Sequence, residues 1–314
     1  MKRRSFLKSI AASGVAASMG TSANFMLPRK VHAKKKVDIG EIQSLRVDVL
    51  TETSWFNNDI FKKNIMDYGG AMTNQYTIPW EWDNAGGYAA LITVTTLEGE
   101  ERKFMMDSGW NNGWMDYIFE EKSNVAQMLK NNELEFLVLS HWQLDHLSGI
   151  ESTLKHNQNI KMYVPKTHYP EDMALLKDKA HHTAKNKDTG EEVHICKNDY
   201  PHTGELVECD PDGENGEGVY KLMPGVAVRM FDVPILLRVR GENVLYFNVK
   251  DKGVVTVTGC CHPGILSLFS YARKNIEGYQ PYGCYGGLHI SLFETWEPKF
   301  DDIIKGVQAF KIQK

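Results

Sequence analysis

The stretch that decides the fold reads Leu137-Val138-Leu139-Ser140-His141-Trp142-Gln143-Leu144-Asp145-His146-Leu147-Ser148-Gly149. An apolar strand leads here into a short turn with two histidines and an aspartate, and a helical pattern follows. Functional groups of α/β proteins lie at the ends of strands. His141 stands at the strand exit, whereas Asp145 and His146 open the helix. The three side chains converge only if the turn folds around a shared centre, which predicts metal ligands.

Two more histidines follow strand-like segments. The apolar run 253–259 leads into Cys260-Cys261-His262-Pro263-Gly264-Ile265. Pro263 suits the first position of a helix, and the helix dipole would then keep the preceding His262 neutral, with a lone pair for a metal. His289 follows two glycines, where the backbone can approach a neighbour closely. With the first turn, these histidines place candidate ligands at three strand ends.

On these residues the chain resembles the metallo-β-lactamase superfamily, whose signature is His-x-His-x-Asp-His after a strand, with further ligands after later strands. The matching residues are His141, Asp145, His146, His262, His289 and the upstream turn Asp107-Ser108-Gly109. The segments 258–265 and 286–289 look most like the branch named for dihydropterin ribofuranosyl-aminobenzene phosphate synthase. The resemblance covers residues 45 to 290.

The resemblance implies an α/β fold, a four-layer αββα sandwich with the metal site at the strand ends between two sheets. It also implies one or two divalent ions, zinc before manganese or iron. The expected ligands are His141, Gln143 and His262 for a first site, and Asp145, His146 and His289 for a second. Asp107 would not ligate the metal itself but would fix the tautomer of one histidine ligand.

Two departures from the family pattern bear on the metal site. Gln143 stands where the signature has its second histidine, and an amide oxygen is a poorer donor than imidazole, so the first site should be weaker. No clear bridging aspartate is present, and Asp232 and Asp251 are the nearest candidates. The branch's segment before its second strand is replaced by residues 83–87, so substrate contacts from that segment do not transfer.

The resemblance implies hydrolysis by a metal-activated water, with Asp145 as ligand and catalytic proton acceptor. We expect a small, phosphorylated, pterin-like or otherwise anionic substrate, with Lys166, Arg229 and Arg238 as candidate anion-binding groups. A protein of the same fold that binds ligand or metal without turnover is the alternative, which Gln143 and the missing bridge favour. A thiol redox protein, using Cys260 or an adjacent thiol, is a third reading.

The pattern of the remaining chain predicts one domain over residues 34–314, with a polar insertion near 167–224. Predicted strands span 45–50, 89–95, 103–106, 135–140, 161–164, 226–231, 236–239, 244–249 and 253–258, and predicted helices span 114–131, 147–155, 171–182 and 265–275. Five cysteines are an odd number, so at least one thiol stays unpaired, and Cys196 could bridge Cys209.

Residues 1–33 resemble a twin-arginine (Tat) signal peptide, with Arg3-Arg4 followed by Phe6-Leu7 and a small-residue site at Ala33. The resemblance implies passage through the Tat export machinery to the periplasm or beyond, in the folded state. Without these residues the net charge falls from −4 to −10. Nucleic-acid binding is therefore not expected, because phosphate neutralisation requires a basic surface.

Overall fold

The computed structural model describes residues 35–52, 57–80, 86–289 and 296–314. The predicted signal peptide and residues 83–85 of the departing segment lie outside these ranges. Short runs rich in β-branched and aromatic residues form the strands. In chain order they are β1 Ser44–Thr51, β2 Ala89–Thr95, β3 Glu101–Met106, β4 Phe136–Val138, β5 Lys161–Pro165, β6 Ala180–Lys185, β7 Glu192–Asn198, β8 Leu206–Cys209, β9 Tyr220–Met223, β10 Val226–Pro234, β11 Arg240–Val249, β12 Gly253–Thr258 and β13 Pro281–Gly286.

The strands form two mixed sheets and a separate hairpin. The first sheet has the order β1-β2-β3-β4-β5-β8, and its strands run antiparallel from β1 to β3 and parallel from β3 to β8. The second has the order β13-β12-β11-β10-β9, with only β12 and β13 parallel. β6 and β7 pair antiparallel with each other. Parallel neighbours therefore exist in both sheets, and their carboxyl ends can supply one site.

Helices cover the outer faces of both sheets. They are α1 Asn58–Asp67, α2 Asn112–Tyr117, α3 Val125–Lys130, α4 Leu144–Leu147, α5 Ile150–Leu154, α6 Pro170–Lys177, α7 Ile265–Asn275 and α8 Pro298–Ala309. One apolar cluster joins the first sheet to α1–α6, a second fills the space between the sheets, and a third joins the second sheet to α7. This order of layers confirms the predicted αββα sandwich. None of the described helices combines the length and apolar character of a bilayer span.

Four predicted elements differ from the structure. The predicted helix 147–155 is divided at residues 148–149, since α4 ends at Leu147 and α5 begins at Ile150. The predicted helix 114–131 is interrupted by a π-helical turn, Ile118–Lys122, and by Ser123, whose extended backbone separates α2 from α3. The predicted strand 236–239 is a turn, because Leu237 and Arg238 adopt left-handed φ angles of 64° and 63°. The predicted helix 171–182 ends at Lys177, and the following residues form β6. The polar segment 167–224 accordingly contains four strands, although periodicity after residue 184 predicted none.

Asp172, in the first turn of α6, is buried beneath this segment. Its carboxylate accepts hydrogen bonds from the Tyr76 hydroxyl (2.9 Å) and the Tyr169 backbone N–H (2.8 Å). Burial raises the pKa of Asp172 to about 6. A raised carboxyl pKa means that the folded state binds the proton more tightly than the unfolded state, so stability decreases as pH rises from about 4 through 6.

We expect this linkage to lower the free energy of unfolding by about 2 kcal/mol between pH 4 and 7.5. Asp172→Asn should remove that share of the pH dependence, as measured by urea denaturation across this range. Glu277→Gln, an exposed carboxyl away from α6, is the control and should leave this part of the pH dependence unchanged. Identical pH dependence in wild type and Asp172→Asn would contradict the assignment.

Candidate metal centre

Four strands of the two sheets end at one point and place the candidate residues there. Asp107 follows β3 and His141 lies three residues after β4, which is the parallel neighbour of β3. His262 and His289 follow β12 and β13, the parallel pair of the second sheet. The sheets are also tied together beside the site, since the Asn243 side chain and backbone donate to the backbone carbonyls that precede His141.

Glycine is required where the His289 segment approaches β12. Gly286 has a φ of 115°, and a Cβ there would lie 1.8 Å from the carbonyl oxygen of Thr258. A Cβ on Gly287 would lie 2.5 Å from the carbonyl oxygen of Gly259. The expected close approach of the backbone is therefore present, and it brings His289 to the end of β12.

The structure brings the four predicted histidines together. Ring centroids are 4.1 Å apart for His141 and His146, 4.8 Å for His141 and His262, and 4.9 Å for His262 and His289. His141 and His146 are fully buried, whereas His289 is exposed. The four rings thus line one centre that is closed on the sheet side and open beside His289.

Asp107 and Ser140 contact the Nδ1 side of the His141 and His146 rings. The Ser140 hydroxyl donates to the Asp107 carboxylate (2.6 Å), which also contacts Nδ1 of His146 at 2.6 Å. The hydroxyl oxygen lies 2.9 Å from Nδ1 of His141 and, having donated its own proton, can only accept there. Both Nδ1 atoms therefore carry protons, and both Nε2 atoms face the centre. Burial acts to lower the pKa of His146, but the neighbouring Cys260 and Asp107 raise it well above its ordinary value, so a bound cation would displace a proton from this Nε2.

Glu242, a fully buried residue of β11, contacts Nδ1 of His262 in the same way and orients that ring. One of its carboxylate oxygens accepts from the backbone N–H (2.7 Å) and Nδ1 (3.0 Å) of His262. The other accepts from the Thr258 hydroxyl and from the N–H groups of Cys260 and Cys261. Burial alone would raise the pKa of Glu242, but the hydrogen bonds and charge of His262 hold it well below its ordinary value.

The predicted helix start at Pro263 is wrong. α7 begins at Ile265, with Gly264 as its N-cap at a φ of 84°. His262 therefore stands in the turn before the helix, and Glu242 rather than the helix end orients its ring. No sequence motif indicates Glu242, because it is 20 positions from His262 and reaches it only through the pairing of β11 with β12.

Gln143 provides a test of whether the residues suit a cation. Its side-chain oxygen lies 2.9 Å from Nε2 of His141. Burial, reinforced by His146 and His262, lowers the pKa of His141 well below its ordinary value, so this ring is neutral. Because Nδ1 of His141 carries the ring proton, two lone pairs face each other. Two acceptors in this arrangement are suited to a shared cation.

Asp145 lies at the rim of the same centre. Its carboxylate is 3.8 Å from Nε2 of His146, and its backbone carbonyl accepts from the N–H of Tyr88. Partial desolvation, reinforced by the neighbouring His262, lowers the pKa of His289, although its side chain reaches solvent on the open side. Imidazoles, which ligate a metal in their neutral form, and an adjacent carboxylate are a donor set that fits zinc. That Asp145 and Gln143 are ligands stays a prediction.

Cys260 also lies at this centre, although it was not among the predicted metal ligands. Its sulfur lies 3.1 Å from Nε2 of His146. Ligand atoms of His141, His146 and Cys260 all lie within 4.8 Å of one another, and so do those of Cys260, His262 and His289. Burial raises the pKa of the Cys260 thiol to about 11, although His146 acts in the opposite direction.

The other thiols are free and do not join this centre. Cys261 packs in the apolar cluster under α7. Cys196 and Cys209 are both buried without forming a disulfide. An exposed, reactive thiol, which the redox reading requires of Cys260 or Cys261, is absent at these two positions because both side chains are buried.

A narrow cleft opens beside the centre. Its free volume is about 20 Å³, enough for one water molecule. The cleft is lined mainly by aromatic and aliphatic side chains, with polar groups at the metal end: Phe61, Gln75, Trp80, Trp110, Gln143, Leu144, Asp145, Leu236, Leu237 and His289. Among the described residues that line it there is no lysine or arginine.

The three predicted anion-binding groups have other partners. Lys166 pairs with Asp210 at 3.2 Å. The Arg229 guanidinium donates to backbone carbonyls on the second sheet's side, including that of Gly218. Arg238 stacks on the ring of Tyr169, 4.7 Å from its centroid. The described structure therefore gives none of them a place in the cleft.

Comparison with solved structures finds metal-dependent hydrolases of the β-lactamase superfamily. One such hydrolase has 14% identity and a TM-score of 0.46, with 86% of this chain and 85% of that chain covered. An N-acyl homoserine lactone hydrolase, solved with N-hexanoyl-L-homoserine at its catalytic metal centre, has 14% identity, a TM-score of 0.37 and coverage of 70% and 76%. The metallo-β-lactamase MIM-1 from Novosphingobium pentaromativorans has 10% identity, a TM-score of 0.33 and coverage of 70% and 64%.

No protein-family model matches the chain, and no curated protein matches it either. The structural likenesses are too distant to transfer an activity or a substrate.

Proposed function

We propose that this protein is a metal-dependent hydrolase. The observation that supports the proposal is the convergence of four imidazoles. In three of them Nδ1 contacts an oxygen of Ser140, Asp107 or Glu242 on the side away from the centre. Such engagement fixes the tautomer that presents Nε2 as a ligand. Buried carboxylates and a hydroxyl placed in this way have no equivalent use in a simple packed core.

A divalent cation bound here would supply a water of lowered pKa and polarise a substrate carbonyl oxygen. The residues of the chain do the rest. Asp145, at the open rim, orients the attacking water and accepts its proton. His289 bounds the same open side, and the indole and aliphatic walls of the cleft exclude bulk water, which strengthens electrostatic interactions inside.

The cleft favours an uncharged acyl substrate, such as an aryl ester, lactone or amide, over a phosphorylated one. A phosphate group beyond reach of the metal would be desolvated against Trp80, Trp110 and Leu237 with no lysine or arginine among the described lining residues. The cleft itself has room for one water molecule only, so an aromatic or aliphatic group would gain instead from contact with these side chains at the mouth of the cleft. A pterin-like ring remains compatible with such walls, but a phosphate on it is not favoured.

The test combines zinc binding with a substrate panel. We expect the full chain to bind zinc and to hydrolyse lactones or aryl esters faster than phosphodiesters, and chelation should abolish the activity. His289→Ala should weaken zinc binding about tenfold. His181→Ala is the matched control, because His181 is also exposed but pairs with Asp199 away from the site. A chain that binds no zinc, or that prefers phosphodiesters, would contradict the proposal.

Binding without turnover is the competing function, and Gln143 favours it because an amide ligand weakens one side of the centre. Zinc binding without hydrolysis of any panel member would support it. Export by the Tat route is a further part of the proposal, on the basis of Arg3-Arg4 and the residues that follow. Attachment of residues 1–33 to a reporter that requires Tat export would test it.

A further inference from the structure

The sulfur of Cys260 occupies the middle of the histidine centre. It is the one atom common to the two groups of ligand atoms that lie within 4.8 Å of one another, one with His141 and His146 and the other with His262 and His289. Only 3% of the Cys260 surface is exposed. Its backbone N–H donates to Glu242 at 3.1 Å, so the loop that holds the sulfur is fixed by a buried carboxylate.

Asp232 and Asp251, the two candidates for a carboxylate that bridges two metal ions, do not lie at the histidine centre. Asp232 forms an ion pair with Arg240 at 2.8 Å on the surface. Asp251 lies in the exposed turn between β11 and β12, with a left-handed φ of 59°. The described part of the chain thus offers no bridging carboxylate at the positions where one was expected, while Cys260 supplies a potential anion between the two pairs of histidines.

We infer that the Cys260 thiolate is a metal ligand and takes the place of that carboxylate as the ligand shared by both pairs of histidines. Metal binding replaces the thiol proton, which leaves to solvent as the metal–sulfur bond forms. A thiolate is a soft donor, so the centre should prefer zinc to magnesium or manganese. The inference rests on the proposed metal-dependent function and specifies one ligand of its site.

The decisive measurement is X-ray absorption at the zinc edge on the zinc-loaded full chain. We expect a sulfur shell at about 2.3 Å together with nitrogen or oxygen neighbours at about 2.0 Å. The cobalt-substituted protein should show a sulfur-to-cobalt charge-transfer band in the near ultraviolet. Neither readout depends on catalytic activity, and both use the wild-type chain.

Variants of the two adjacent cysteines provide the matched comparison. Cys260→Ser should abolish the sulfur shell and raise the zinc Kd at least about tenfold. Cys260→Asp should also lose the sulfur shell but recover part of the zinc affinity, because it restores an anionic donor. Cys261→Ser should keep the shell and change the Kd less than about twofold, because Cys261 is equally buried but packs under α7.

The outcomes separate this inference from the proposed function. Zinc bound with nitrogen and oxygen neighbours only, or a sulfur shell that persists in Cys260→Ser, would overturn the inference and leave metal-dependent hydrolysis standing. A chain that binds no zinc would overturn both. If Cys260→Ser fails to fold, the wild-type absorption spectrum and Cys261→Ser still decide whether a sulfur binds and which cysteine provides it.

Discussion

Glu242→Gln should destabilise the folded protein by about 3 kcal/mol, because a buried carboxylate that accepts five hydrogen bonds is replaced by a neutral amide. The Glu242 carboxylate accepts from three successive backbone N–H groups, from the Thr258 hydroxyl and from the His262 ring. A glutamine amide has one acceptor oxygen and brings an NH₂ group against donors. At least one buried N–H would therefore lose its acceptor, at about 1–3 kcal/mol each.

Urea denaturation of the metal-free protein measures this effect, since metal binding would add its own stabilisation. Asp232→Asn is the control: this carboxylate pairs with Arg240 where both side chains are partly exposed, and its loss should cost less than about 1 kcal/mol. A Glu242→Gln protein within about 1 kcal/mol of wild type would mean that water or a relaxed loop replaces the lost acceptor.

Much of the fold and of the first ligand turn is predictable from local sequence. The alternation of strand and helix patterns predicts covered sheets, and the quoted turn concentrates polar groups immediately after an apolar strand. The glycines before His289 predict a close backbone approach, which Gly286 shows. These features are encoded in neighbouring residues, so no tertiary contact is needed to recognise them.

The features that the sequence did not predict depend on pairing between distant segments. β13, Pro281–Gly286, contains two glycines and a proline and has low strand propensity, yet it pairs in parallel with β12. Glu242 resembles an ordinary strand residue until β11 and β12 align. Cys260 and Cys261 cannot be distinguished by type, and only the turn, with Cys261 at a φ of 63°, directs one to the histidines and the other to the core.

Asp107→Asn should reduce zinc affinity about 10–100-fold and lower kcat/KM with it, the typical effect of losing the group that orients a histidine ligand. Asp107 has a φ of 61°, a conformation that asparagine tolerates well, so the backbone should be retained. If the asparagine oxygen still accepts from the Ser140 backbone N–H, its NH₂ group takes the position of the carboxylate oxygen that contacts Nδ1 of His146.

The NH₂ group would then donate to Nδ1, which moves the ring proton of His146 to Nε2 and removes the lone pair that faces the centre. Histidine nitrogen NMR on the metal-free protein, at a pH where the His146 ring is neutral, reports this tautomer directly, which a purely structural role of Asp107 would not change. Asp116→Asn is the control, because Asp116 pairs with Lys155 outside the site. An unchanged His146 tautomer together with wild-type zinc affinity would show that Asp107 supports the turn and does not orient the ligand.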